Sequence, residues 1–266
     1  MDNRPIGIFD SGVGGITVFA EIIKLLPNEN IIYLGDTARL PYGTKSKQTI
    51  INYTKQAIEF FVSKNVKAVV IACGTATSQS LEEIKDNYQI PIIGIINPTV
   101  ERIGDITGKI GVIGTSGTIN SMAWDKEIKK IYPQVEIISK PCPILAQLAE
   151  EGWTNNEVAR LAIKEYLEPL KQANISKLIL GCTHYPLFND IINQELEYKV
   201  EIINTGEKCA QSLKQLLTQK NIEKGNTKGE YNFYLTDIES NFVKVANTIL
   251  AKQYSIEEKK INLVKL

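Results

Sequence analysis

Short apolar runs rich in β-branched residues alternate along the chain with longer stretches in which apolar residues return every three or four positions. This is the pattern of parallel strands joined by crossover helices, and it predicts an α/β fold. The strand-like runs fall at residues 6–9, 31–34, 68–72 and 92–96, and again at 110–113, 135–138, 178–180 and 200–203. Between them, residues 15–26 carry Ile16, Phe19, Ile23 and Leu26 on one helical stripe that stops at Pro27, and residues 49–64 carry Ile50, Tyr53, Ala57 and Phe61 on another. Near the end, Thr236-Asp237-Ile238-Glu239 has the form of a capping box opening a helix with Phe242, Ala246 and Ile249. The polar stretch 221–229 reads as a surface loop.

The two sets of strands superimpose by a nearly constant offset: 110 − 6 = 104, 135 − 31 = 104 and 200 − 92 = 108. Local text agrees, since Ile6-Gly7-Ile8 matches Ile110-Gly111-Val112 and Ile95-Ile96-Asn97 matches Ile202-Ile203-Asn204. The chain reads as two similar halves, each a mainly parallel sheet flanked by helices.

Composition narrows the partners. Of 266 residues, 30 are Lys or Arg and 30 are Asp or Glu, so no broad field draws a nucleic-acid backbone or an anionic membrane. A small molecule is the expected partner. No apolar run approaches the roughly 20 residues that span a bilayer, and a cytoplasmic protein is expected. Four cysteines, at 73, 142, 182 and 209, stand far apart with no C-x-x-C pair, beside a single histidine. That spacing points to neither a zinc site nor a disulfide framework, and no metal is expected.

In a parallel sheet, ligands gather at the carboxyl ends of the strands, where loops meet helix amino termini. Those positions hold Asp10-Ser11-Gly12-Val13-Gly14-Gly15, the run Gly35 to Gly43, Cys73-Gly74-Thr75, Gly114-Thr115-Ser116-Gly117-Thr118 and Cys182-Thr183-His184-Tyr185-Pro186. A dinucleotide fingerprint starting at Gly12 would need glycine where Thr17 stands, and a phosphate loop would need a lysine. What remains is a glycine loop whose backbone amides approach a carboxylate, with Ser11 as a further donor, or a plain tight turn.

Cys73 and Cys182 hold equivalent places, 109 residues apart (182 − 73), each just after a buried strand and before hydroxyl residues at an expected helix start. That setting lowers a thiol pKa from its free value of about 8.5. A lone cysteine there is often only a small buried hydrophobe, but here the same setting occurs twice. Cys142 and Cys209 lack it and read as structural. His184, two residues beyond Cys182, can orient that thiol or relay its proton, and Asp10 can do the same for Cys73 or simply cap a helix. Two thiols on opposite walls of one cleft suggest removal of a proton from one face of a carbon and its return to the other.

At this point the motifs resemble the cofactor-independent glutamate racemases. Ile8 to Gly15 is similar to the family's opening motif, Gly35 to Gly43 to its second, and Leu180-Gly181-Cys182-Thr183-His184-Tyr185-Pro186 to its last. The resemblance implies interconversion of L- and D-glutamate for peptidoglycan synthesis, without cofactor or metal. By carry-over, Cys73 and Cys182 are the acid/base thiols, assisted by Asp10 and His184, with Glu150 beside the cleft. Substrate contacts would come from Asp10, Ser11, Pro41, Tyr42, Gly43, Gly74, Thr75, Thr115, Thr118, Cys182, Thr183 and His184. The family fold implies two domains, 1–97 with 208–266 and 98–207, related by a pseudo-twofold with the active site between them. A homodimer is carried by the resemblance alone. Gly74 stands where the family commonly has asparagine, and Asn97 and Asn204 where many members carry acids.

Three competing readings remain: a racemase of aspartate or another small acid, a cysteine hydrolase or amidotransferase with Cys182 as nucleophile and His184 as base, and a non-catalytic binding protein for small acids.

Overall fold

The computed structural model describes residues 1–238, 241–251 and 253–266. Strand β1 (Ile6–Asp10) is buried along its whole length, as befits a central strand covered on both faces. It pairs in parallel with β2 (Ile31–Gly35) and β3 (Ala68–Ile71), and β3 pairs with β4 (Ile92–Gly94). The second half repeats the arrangement with β5 (Lys109–Gly114) between β6 (Ile137–Pro141) and β7 (Ile175–Leu180), and β8 (Glu201–Ile203) beyond β7. The orders β2-β1-β3-β4 and β6-β5-β7-β8 are the same. This is the topological counterpart of the offset in the sequence, and the α/β architecture of two parallel sheets is as expected.

Two strands lie outside that expectation. β9 (Tyr231–Leu235) pairs with β2 and β10 (Ile261–Leu263) with β9, widening the first sheet to six strands. Both mix polar with apolar residues, and Leu263 is 63% exposed, so neither presents the continuous apolar run of an inner strand. β6 begins at Ile137 rather than residue 135, because the Val135 amide donates to the Tyr132 carbonyl and is committed to a turn. Residue 96 belongs to a helix, not to β4.

The helices are α1 (Ile16–Leu25), α2 (Lys47–Ser63), α3 (Gly74–Ile84), α4 (Ile96–Glu101), α5 (Ser116–Asn120), α6 (Ala123–Ile131), α7 (Pro143–Glu150), α8 (Glu157–Gln172), α9 (Asn189–Glu195), α10 (Thr205–Lys220) and α11 (Phe242–Leu250). α1 buries Ile16, Val18, Phe19, Ile22 and Ile23 and packs on α10 and α11; α2 starts at a Ser46 cap whose hydroxyl accepts from the Thr49 amide. One apolar cluster runs through both halves, joining Ile8 and Phe19 to Val112, Trp124 and Leu213. The capping box is not used as expected: the Thr236 hydroxyl donates to Asp36 Oδ1 (2.9 Å) and accepts from the Ala38 amide (2.9 Å). Its supposed partner Glu239 lies outside the described residues. Thr236 therefore ties the 36–43 loop to β9 rather than starting α11.

Far from the strand ends that concern chemistry, the Lys67 ammonium is fully buried. It pairs with Glu29 (2.5 Å) and donates to the carbonyls of Asp2 and Ile222. Glu29 also accepts from the Lys224 amide (2.9 Å), so one ion pair gathers the amino-terminal strand, β3 and the loop after α10.

Candidate active site

The carboxyl ends of the two sheets meet at a cavity of about 720 Å³. Its wall from the first half contains Ser11, Leu40, Pro41, Tyr42, Gly43, Cys73, Gly74 and Thr75. The opposite wall contains Thr115, Ala146, Gln147, Glu150, Glu151, Cys182, Thr183 and His184, and Asn241 joins from the chain's last segment. Both thiols therefore open into one space, each 5% exposed.

Parallel strands deliver these residues because β1, β3 and β7 end at the cavity with Asp10, Cys73 and Cys182 directly at or after their last positions. Cys73 Sγ donates to Ser11 Oγ (3.6 Å) and sits at the amino terminus of α3, receiving the Ala76 amide. Even so, the thiol is not acidified. Burial, followed by the nearby Asp10 carboxyl, pushes it up to about 12 against the opposing hydrogen bonds. The lowered value expected from its helix-start position is thus reversed for Cys73, since desolvation of a thiolate outweighs one helix terminus.

On the other wall Cys182 Sγ lies 3.5 Å from His184 Nδ1, and His184 Nε2 lies 2.6 Å from Glu150 Oε1. Burial works against a charged imidazole here. The Glu150 carboxylate and the contact with Cys182 outweigh it and hold His184 well above its ordinary value. Glu150 is brought in by α7, whose successive turns present Ala146, Gln147, Glu150 and Glu151 to the cavity.

Asp10 and Thr118 do not line the cavity; they stand behind its wall. Asp10 accepts from the Gly12 amide (3.0 Å) and the Thr183 hydroxyl (3.2 Å), and burial raises it to about 6, tempered by the His184 charge. Thr118 joins a hydroxyl seam across the halves: Thr75 to Thr115 (2.8 Å), Thr75 to Thr118 (3.3 Å) and Thr115 to Thr118 (2.9 Å). Thr115 also caps α5 by accepting from the Thr118 amide.

The glycine loop does meet carboxylates, but the protein's own. The Gly12 amide serves Asp10 and the Val13 amide serves Glu150 (3.3 Å). A Cβ at Gly12 would fall 2.4 Å from Glu150 Oε1, and one at Gly14 would fall 2.5 Å from Thr183 Oγ1. Those glycines let the second half approach the first.

Tyr42 is oriented from behind by a buried carboxyl: its hydroxyl donates to Asp36, which also receives Arg39 Nε (2.6 Å). Asn97 and Asn204 do not line the cavity; Asn204 caps α10 and donates to Glu21 (3.0 Å), while Asn97 faces Glu127. Both reflect local helix contacts. Ala146, Gln147, Glu151 and Asn241 went unread in the sequence, although the helical spacing from Glu150 would have found Ala146 and Gln147. Among the described residues no group of three or more His, Cys, Asp or Glu side chains is gathered as metal ligands would be, and no helix is long and apolar enough to cross a membrane.

Two mirrored parallel sheets with a thiol from each facing a shared cavity define the architecture of the two-domain α/β racemases. The chain belongs to the Asp/Glu/Hydantoin racemase family, whose model matches residues 6–213. It is 43% identical over 253 residues to a glutamate racemase of Geobacter metallireducens, covering 94% of each chain. Among solved structures it is similar to glutamate racemase of Francisella tularensis in complex with D-glutamate, with a TM-score of 0.92 and 38% identity over 100% of this chain and 98% of that one. It is likewise similar to glutamate racemase isoform RacE1 of Bacillus anthracis, with a TM-score of 0.94 and 37% identity over 100% and 99%.

Proposed function

We propose that this isomerase interconverts L- and D-glutamate by a two-base mechanism without cofactor. The observation that carries the reading is the pair of thiols, Cys73 and Cys182, opening from opposite halves into one cavity. In one direction His184, held by Glu150, takes the Cys182 proton. The resulting thiolate removes the α-proton of the amino acid, and the protonated Cys73 thiol delivers its own proton to the opposite face. Cys73 is left as the thiolate and Cys182 as the thiol, which is the starting state for the reverse reaction. To reset for another turn in the same direction, His184 releases to solvent the proton it took from Cys182. The Cys73 thiolate regains one through Asp10 behind it, which is reloaded from solvent; the reverse direction moves the same protons the other way. Amides and hydroxyls of Ser11, Tyr42, Gly43, Gly74, Thr75 and Thr183 hold the substrate and stabilise charge as the α-carbon loses its proton.

The division into 1–97 with 208–266 and 98–207 is part of this proposal. It is supported by the pairing of β9 with β2, which returns the last segment to the first sheet. A cytoplasmic setting, supply of D-glutamate to peptidoglycan and a homodimer follow the same reading by likeness to the relatives.

The test is a chiral assay of the purified protein with L-glutamate and no added cofactor, run in deuterated water. The expected outcome is D-glutamate carrying deuterium at Cα while residual L-glutamate stays unlabelled early in the reaction. Equal early labelling of both enantiomers would point to a single base, and turnover of aspartate alone would move the substrate to another small acid.

A further inference from the structure

Gly12 stands where the two halves meet, and its backbone serves both. Its own amide donates to Asp10 Oδ2 (3.0 Å), while the next amide, that of Val13, donates to Glu150 Oε1 (3.3 Å). The same carboxylate oxygen meets His184 Nε2 at 2.6 Å. The Gly12 carbonyl shares a peptide group with the Val13 amide, and it accepts the Tyr33 hydroxyl at 2.6 Å. One line of polar contacts therefore runs from Tyr33 in β2 through the 12–13 peptide to Glu150 and His184, and His184 Nδ1 lies 3.5 Å from the Cys182 sulfur. It begins behind the first half and ends at the thiol of the second.

The surroundings of Tyr33 suit it to this place. The residue is fully buried, with its ring against Phe19, Phe233 and Phe242 at centroid separations of 6.3, 6.0 and 6.4 Å. Burial, followed by the nearby Asp10, Glu150 and Cys73, holds the phenol well above its ordinary value, so the hydroxyl keeps its proton to donate. Gly15 makes the room, since a Cβ there would fall 2.8 Å from the hydroxyl oxygen. Among the described residues no other group donates to the Gly12 carbonyl. A donor on a peptide oxygen polarises the peptide and makes its N–H a better donor in turn. Without the hydroxyl the buried carbonyl would lack a partner, and the peptide would have to turn to find one.

We propose that Tyr33 is a positioning residue for the second wall: its hydroxyl fixes the 12–13 peptide so that the Val13 amide holds the Glu150 carboxylate against His184. The proposal rests on the reading in which His184 takes the proton of Cys182. Tyr33 touches neither thiol nor the cavity, so removing its hydroxyl should act on the rate of proton transfer and spare substrate binding.

The experiment uses the full-length chain with Tyr33→Phe, which keeps the ring in its aromatic setting and removes the hydroxyl alone. The variant should lower kcat about fivefold with KM changed less than about twofold, the loss of one buried hydrogen bond. In a Glu150→Gln background, where no carboxylate remains to be held, the same substitution should cost less than about twofold. Equal cost in both backgrounds would overturn the proposal, because a general packing role or a route through Asp10 does not depend on Glu150. So would an unchanged kcat in the single variant. His184 is the only histidine in the chain, so histidine-labelled protein gives a single Nε2–H resonance, whose downfield position in an NMR spectrum reports the bond to Glu150. Tyr33→Phe should move that resonance upfield or lose it to exchange with water, and an unmoved, sharp resonance would overturn the proposal. The spectrum needs no substrate. Failure of the wild type to racemise glutamate would end the functional reading, while the resonance would still decide the role of Tyr33.

Discussion

The two walls of the cavity repeat one another in topology and differ in electrostatics. On the first, Cys73 faces a hydroxyl and lies near a carboxyl, and burial keeps its proton on, with the thiol pushed up to about 12. On the second, Cys182 faces an imidazole that a carboxylate holds ready to be charged. The repeat supplied two equivalent places for sulfur, and the surroundings divide the labour. One wall sets its sulfur beside a hydroxyl and a carboxyl, the other beside an imidazole paired with a carboxylate. Under the proposed mechanism reversal needs the two walls to exchange roles, a task for Asp10 from behind the cavity and for His184 from its lining.

The strongest challenge to that comparison is to remove each sulfur in turn. Cys73→Ser and Cys182→Ser should each lower racemisation by about 10³-fold or more, since a hydroxyl of much higher pKa replaces the acid or base. Retention of full activity in either would end the two-thiol account. Should the two variants differ, the one retaining α-proton exchange from a single enantiomer identifies which wall serves that enantiomer. Next in size is His184→Asn, expected to cost about 10²-fold, with Glu150→Gln costing about tenfold because it loosens and neutralises the support of the imidazole without removing it. The directional signature matters more than the size: both should slow proton abstraction by Cys182 more than abstraction by Cys73.

The asymmetry can be sharpened by pH. Asp10 has a folded-state pKa raised to about 6 from 3.8, mainly by burial. The folded protein therefore binds this proton more tightly than the unfolded chain. The stability Asp10 contributes is fully present below 3.8 and lost as pH rises through about 6. Activity should run the other way if the carboxylate is the working form. At pH 5 kcat/KM should fall about tenfold below its plateau, and Asp10→Asn should flatten that limb. A variant that keeps the limb unchanged would assign it to another group.

How much of this was legible follows from what each feature depends on. The inner strands and both cysteine positions could be read because a buried parallel strand writes its whole length in apolar residues, and a doubled fold writes it twice. β9 and β10 could not, because both mix polar with apolar residues and are only partly buried. The Thr236 hydroxyl was misassigned because a capping motif is local while its actual partners, Asp36 and Ala38, are about 200 residues away in sequence. The pKa of Cys73 was misjudged for a related reason: the helix start is visible in sequence, but the depth of burial and the Asp10 carboxyl arriving from β1 are tertiary facts. The same holds for Gly12 and Gly14, whose freedom serves side chains from the other half.

The smallest expected effect tests the seam that joins the two walls, with Thr75 on one and Thr115 on the other. The Thr75, Thr115 and Thr118 hydroxyls satisfy one another across the halves, and Thr115 also caps α5. Thr115→Val keeps the shape, removes the cap and leaves Thr75 and Thr118 to bond each other at 3.3 Å. Loss of the cap should lower unfolding stability by about 1 kcal/mol in a denaturant titration. The rate should fall by no more than about threefold and equally in both directions, since one surviving hydrogen bond still joins the halves. A larger, one-sided loss would mean that the Thr115 hydroxyl touches the substrate and works with one thiol in particular.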